Sequence, residues 1–176
     1  MRVTRKQAEI NRQRIIDSAI RLFAERGVDG VGVAEVMGDA GFTHGGFYNH
    51  FTSKDDLVVT ACTTSFARSL ALLRGGERLE RTHDSGIGGC LSAAMLCESS
   101  KGDTHLTSLY AKGVSELLDV LSEQYGDRDR AVGVLACFVG ARVISRAVDR
   151  ADPELSEEFV AAVGVDSDQL RVHCTS

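Results

Sequence analysis

Tryptophan is missing from the chain altogether, and proline occurs once, at Pro153. Proline removes a backbone donor and breaks helix interiors, so its scarcity leaves long stretches free to be helical. Alternating runs of β-branched and polar residues are few as well, which argues against sheets. No unbroken apolar run approaches the ~20 residues of a membrane span; the longest, 131–141, stops at Arg142. The opening MRVTRKQAEINRQR is basic but has no apolar stretch, so it does not read as a signal peptide. A cytoplasmic protein with no membrane partner is expected.

Close ligand spacings are missing too. Cys62, Cys90, Cys97, Cys137 and Cys174 form no C-x2-C pair, and His44, His50, His83, His105 and His173 form no H-x3-H pair. No metal and no cofactor are therefore expected. A nucleophile elbow, a phosphate loop and a recognisable carboxylate pair are all lacking, which argues against an enzyme. In a cytoplasmic setting the five thiols read as mostly buried and reduced.

What is present is helical periodicity and an uneven charge. The 176 residues are 43% apolar with a net charge of −5, yet residues 1–26 hold seven Lys/Arg against three acids, a local +4. A basic arm on an acidic body can bind phosphate locally while the body limits non-specific binding. By itself this pattern reads rather as a solvated helix face with a frayed terminus.

The most informative stretch is VAEVMGDAGFTHGGFYNHFTSK, 33–54. Val33, Val36, Met37 and Ala40 share one helix face, and Gly41 stands where a left-handed residue ends a helix. Phe42 can bury itself at the corner. Thr43 is placed to cap a second helix of about nine residues, its hydroxyl accepting from the Gly46 amide. Phe47 and Phe51 face inward, leaving Thr43, His44, Gly46, Tyr48 and Asn49 largely outward. This is a helix-turn-helix layout whose second helix is free to enter a major groove. Gly45-Gly46 costs about 1 kcal/mol per glycine in helix stability, which makes sense if something must lie against them. Asn49, His44 and Thr43 suit base edges, while Tyr48 and His50 can donate to phosphates. Lys54 and the start of the following helix offer an anion site.

RIIDSAIRLFAERGVDG, then VAEVMGDAGFTHGGFYNHF, then SKDDL resemble, in one collinear block, the N-terminal domain of the TetR family of bacterial transcriptional repressors. The resemblance implies an all-α fold: an N-terminal three-helix DNA-binding domain with a helix-turn-helix, then a C-terminal helical domain for ligand binding and dimerisation. The division falls at 1–52 and 53–176. It implies a homodimer, double-stranded DNA with a palindromic operator, and a small-molecule effector as partners. The two reading heads of such a dimer would lie about 34–36 Å apart or further. Two departures stand out. Val31-Gly32 replaces a Thr-Ser type start, so a phosphate contact there falls to the Gly32 main-chain amide or is lost; His44 stands where many members have Lys.

Elsewhere the pattern gives a first helix over about 5–26 ended by Gly27, and a helix opened by the Ser53/Asp56 capping pair and broken at Gly75-Gly76. Residues 75–89 read as a polar connection, 90–98 as a short helix, and Asp103 or Thr104 as the cap of a helix to about Tyr125. Residues 131–148 are apolar almost all round, as in a helix buried on both sides. Asp152-Pro153 opens a last helix to about Val163. The resemblance makes these last two helices the dimer interface, through Val132, Leu135, Val139, Arg142, Val143, Arg146 and Phe159.

Cys62, Phe66, Cys90, Met95, Cys97 and Tyr110 suit the lining of an effector pocket, although each taken singly reads as core. Cys90 follows two glycines near a helix start, where its thiolate would be favoured. It resembles a Gly-Cys-Pro-Leu type segment in one branch of the family, with Leu91 in place of Pro. A Cys90–Cys97 bridge within one helix fails, because seven residues rise about 10 Å. A ligand-released repressor is the primary reading. A thiol-based redox or electrophile sensor on the same scaffold, and a non-DNA-binding ligand or protein-interaction module with a degenerate helix-turn-helix, are the alternatives.

Overall fold

The computed structural model describes residues 4–79 and 104–164, and among these the regular elements are all helices. Helix α1, Arg5–Arg26, is capped by Thr4, whose hydroxyl accepts from the Gln7 amide at 3.2 Å. It ends at Gly27, as the sequence indicates. Helix α2, Val33–Asp39, is followed by Gly41 at φ +80°, a backbone that residues with a Cβ rarely adopt. That turn lets the Phe42 amide reach back to the Met37 carbonyl at 2.8 Å. A 3-10 helix, His44–Asn49, follows.

Helix α3, Lys54–Arg74, starts where Ser53 accepts from the Asp56 amide at 3.1 Å. The Asp56 carboxylate reaches one residue further back than a reciprocal capping box would, to the Thr52 amide and hydroxyl. Helix α4 is Thr104–Tyr125 and helix α5 is Arg128–Val148, the latter capped by Asp127 at 2.7 Å from the Arg130 amide. Helix α6, Pro153–Gly164, opens with Asp152 accepting from the Leu155 amide at 3.0 Å. The sequence-based helix over 90–98 lies outside the described residues.

Packing runs along the chain: α1 against α2 and α3, α2 against the 3-10 helix, α3 against α4, α4 against α5, and α5 against α6. Helix α3 is the spine, touching α1 on the N-terminal side and α4 on the C-terminal side. Leu57, Val58 and Ala61 at one end and Leu70 and Leu73 at the other are buried in one apolar cluster. Gln124 of α4 closes the far end of α3, its amide donating to the Leu73 and Glu77 carbonyls at 2.8 and 3.1 Å. The Leu73 carbonyl lies in the last turn of α3 and the Glu77 carbonyl just beyond it, so Gln124 bridges the helix end and the chain that leaves it.

Two sequence expectations change here. Helices α3 and α5, each 21 residues, hold windows with mean hydropathy of 1.3 and 1.7, so by length and composition both are apolar enough to span a membrane. Counting unbroken runs missed this, because isolated arginines and hydroxyl residues interrupt stretches that remain apolar on average. In α3 half of that window is buried within the chain, but in α5 only 22% is. Helix α5 is therefore not enclosed by the described residues of its own chain. Ala131, Phe138, Ala141 and Ser145 form its buried stripe, while Val132, Val143 and Ile144 remain more than 40% exposed.

Helices α3 and α4 meet closely at Gly113, where an added Cβ would lie 2.5 Å from the Phe66 ring. Gly113→Ala gains about 1 kcal/mol in helix propensity but must displace that ring, at about 1–3 kcal/mol. The expected outcome of urea unfolding is a net loss of about 1 kcal/mol.

Candidate nucleic-acid interface

The outward segment after Gly41 departs from the expected second helix. It is six residues of 3-10 helix rather than about nine of α-helix, and the Thr43 hydroxyl makes no capping bond. The Gly46 amide instead donates to the Thr43 main-chain carbonyl at 3.0 Å, the i→i+3 closure that defines a 3-10 turn. Adjacent glycines weaken α-helical propagation, and at the exit the Phe51 amide, 3.0 Å from the Phe47 carbonyl, closes an α-type turn.

Beneath this segment Phe47 and Phe51 are stacked with ring centroids 5.5 Å apart, each at most 2% exposed. Phe42 is half-buried at the corner. On the outer side Thr43, His44, Gly45, Tyr48 and Asn49 are all exposed, Tyr48 at 69%. The His44 ring meets Tyr48 edge-on at 6.5 Å. The two glycines differ: an added Cβ at Gly45 meets nothing within 4 Å, whereas one at Gly46 would touch Met37 Cε at 3.5 Å. Open space for close approach therefore lies at Gly45. Gly46 is instead half-buried against α2.

The other predicted contact residues have partners inside the chain. The half-buried His50 gives its carbonyl to Arg12. Lys54 Nζ donates to the Val28 carbonyl at 2.8 Å, which engages one of the three ammonium donors and ties α3 to the loop after α1. The first turn of α3 holds Asp55 and Asp56. The bond from the Thr52 amide keeps the Asp56 carboxyl below the usual carboxylate range. The helix start thus has anions of its own. Gly32 caps α2 through its main-chain carbonyl, which accepts from the Glu35 and Val36 amides at 3.1 Å.

Two cations of the N-terminal stretch, Arg21 and Arg26, are paired with acids. Arg26 meets Glu35 at 2.6 Å, and Arg21 meets both Asp39 and Glu25. The Arg21 hydrogen bond is the chief reason the Asp39 carboxyl titrates below its ordinary value. Asp17 is paired with Arg68 of α3. Arg5 and Lys6 lie exposed in the first turn of α1.

Of the expected effector-pocket residues, the structure brings three together. Cys62 and Phe66 line a cavity of about 320 Å³ between α3 and α4, and Tyr110 packs edge-on against Phe66 at 5.7 Å. Burial pushes the Cys62 thiol up to about 11 and the Tyr110 phenol up to about 12. Cys90, Met95 and Cys97 lie outside the described residues. Sequence periodicity passed over the charged part of the lining: Arg74, Lys112 and Glu116, with Lys112 3.8 Å from Glu116. The i,i+4 spacing of that pair was the available signal.

On α5 and α6, Val132 and Val143 are exposed, and Leu135, Val139, Arg142, Arg146 and Phe159 are half-buried. Arg142 lies over Phe138 at 5.9 Å, and its buried Nε has no hydrogen-bond partner among the described residues.

The signature described as bacterial regulatory proteins, tetR family, matches residues 15–61. The chain is 43% identical over 56 residues to the HTH-type transcriptional regulator AcrR of Shigella flexneri, covering 32% of this chain and 26% of that protein. The match thus spans about a quarter of the curated relative's length. Among solved structures it is similar to E. coli NemR in its reduced form, with a TM-score of 0.64, 23% identity, and 88% and 95% of the two chains covered. A TetR-family transcriptional regulator from Streptomyces coelicolor gives a TM-score of 0.63 at 21% identity, covering 88% and 93%. At such identities the likeness to solved structures is one of fold. Residues 15–61 thus carry the signature of the TetR family of bacterial regulatory proteins, and the helical fold of the chain is similar to that of a TetR-family transcriptional regulator.

Proposed function

We propose that this chain is a DNA-binding transcriptional regulator, a repressor that binds a palindromic operator as a homodimer and is released by a small molecule. The observation that carries the reading is the exposed group Thr43, His44, Tyr48 and Asn49 around the open backbone of Gly45, inside the family-matched domain. Hydroxyl, imidazole and amide groups suit base edges and phosphates, and a residue without a Cβ admits the closest approach of a nucleic-acid backbone. Residues 1–52 are assigned the DNA-binding role and 53–176 effector binding and dimerisation, in the cytoplasm and without catalysis.

Dimerisation is supported by the uncovered apolar side of α5, where Val132, Val143 and Ile144 lie open. An apolar strip of this kind calls for a partner surface. The cavity between α3 and α4 supports an effector site, with Leu70 and Leu109 as apolar wall and Arg74, Lys112 and Glu116 as polar lining. Helix α3 touches both regions, so a ligand that prefers one placement of α3 would bias the DNA-binding end.

Three outcomes are expected. Selection from random duplexes, followed by sequencing, recovers a palindrome, and binding weakens steeply as salt rises; a folded dimer that enriches nothing at low salt rules the reading out. Val143→Asp places a charge on the uncovered face of α5 and shifts sedimentation from dimer to monomer. Finally, with its pKa raised from 9.0 to about 11, Cys62 is protonated at pH 8 and alkylates slowly. Its thiolate fraction there is roughly a hundredfold below that at the ordinary value. Mass spectrometry after iodoacetamide treatment of the folded protein checks this, with labelling at Cys62 appearing only as the pH nears 11.

A further inference from the structure

The outward segment is poorly equipped to hold its own shape. It is six residues of 3-10 helix, contains adjacent glycines, and has no side-chain cap. Both of its ends, however, are held by arginines of α1. At the exit, Arg12 Nη1 donates to the carbonyl of His50, the residue that closes the 3-10 helix. The same guanidinium lies over the Phe51 ring, 4.1 Å from its centroid. At the entrance, Arg14 lies over Phe42 at 5.0 Å, and its Nη2 is 3.1 Å from where a Cβ on Gly41 would stand.

We infer that Arg12 and Arg14 are positioning residues, a two-point clamp by which α1 fixes the entrance and exit of the DNA-reading segment. This rests on the regulator reading above and deepens it. A guanidinium suits the task because its planar face covers an aromatic ring while its edge donates to a carbonyl. Two arginines in the basic arm thus act on the protein itself rather than on phosphate. The spacing is that of the segment: Phe42 and Phe51 bracket Thr43 to His50, and each lies under one arginine.

The clamp is tested in the full chain with Arg12→Met, Arg14→Met and the conservative Arg12→Lys. Hydrogen exchange of the free protein is read first. In Arg12→Met the amides of Gly46, His50 and Phe51 exchange at least about tenfold faster while those of α5 are unchanged. Arg12→Lys, which keeps the charge and a donating head but loses the planar face, falls between. Binding to the selected duplex is read second. Affinity falls roughly tenfold in either Met variant, about the loss of one base-edge contact, with the slope of log affinity against log salt unchanged. A slope lowered by about 0.9 would make the arginine a phosphate contact and overturn the clamp. Unchanged exchange in both Met variants would overturn it as well. If the parent protein enriches no duplex, the regulator reading fails on its own, and the exchange rates still decide whether α1 holds the segment.

Discussion

The burial of Phe47 and Phe51 beneath a short, glycine-containing turn is the constraint on which the N-terminal half depends. A six-residue 3-10 helix is too short to be stable by its own hydrogen bonds, so its position comes from two stacked rings and from what packs on them. Because its inner side carries the anchoring, its outer side is free to be chosen for contact rather than stability. That division explains why one surface can expose a tyrosine, a histidine and an asparagine around a bare glycine without unravelling.

Helix α3 then converts a small motif into part of a larger body. Its first turn is capped by Ser53 and fastened to the motif through Asp56, bonded to Thr52, and Lys54, bonded to the loop at Val28. Its last turn is capped from α4 by Gln124. A helix fixed at both ends tilts or shifts as a unit more readily than it bends, and the cavity along its middle lies where a ligand could act on such a tilt.

Much of this was legible in the sequence. Helix limits followed from caps and stops: Gly27, Ser53, Gly75 and Asp152 sit where the pattern places them. The inward pairing of Phe47 with Phe51 followed from their spacing. What the sequence obscured was long-range. Nothing local indicates that Lys54 will reach Val28, or that Arg21 and Arg26 will be matched by Asp39 and Glu35 on the next helix. Such pairs depend on the angle between helices, and counting charges along the chain therefore overstated the positive field of the first helix. The 3-10 form of the reading segment was hidden for a related reason. Periodicity places side chains on faces, but it distinguishes i→i+3 from i→i+4 closure poorly over so few residues.

The open side of α5 has a consequence for the life of the chain before it finds a partner. A helix with mean hydropathy of 1.7 over its apolar window and only 22% of that window covered presents greasy surface as soon as the chain folds. Anything that covers this surface in the folded state stabilises it by mass action. Where that cover is a second copy of the chain, the melting temperature becomes a function of how many copies are present, and dilution acts as a denaturant. In a cell making few molecules, the newly synthesised chain is exposed to chaperones and proteases until it is covered. With a second copy as that cover, the abundance of the protein is tied to its own assembly.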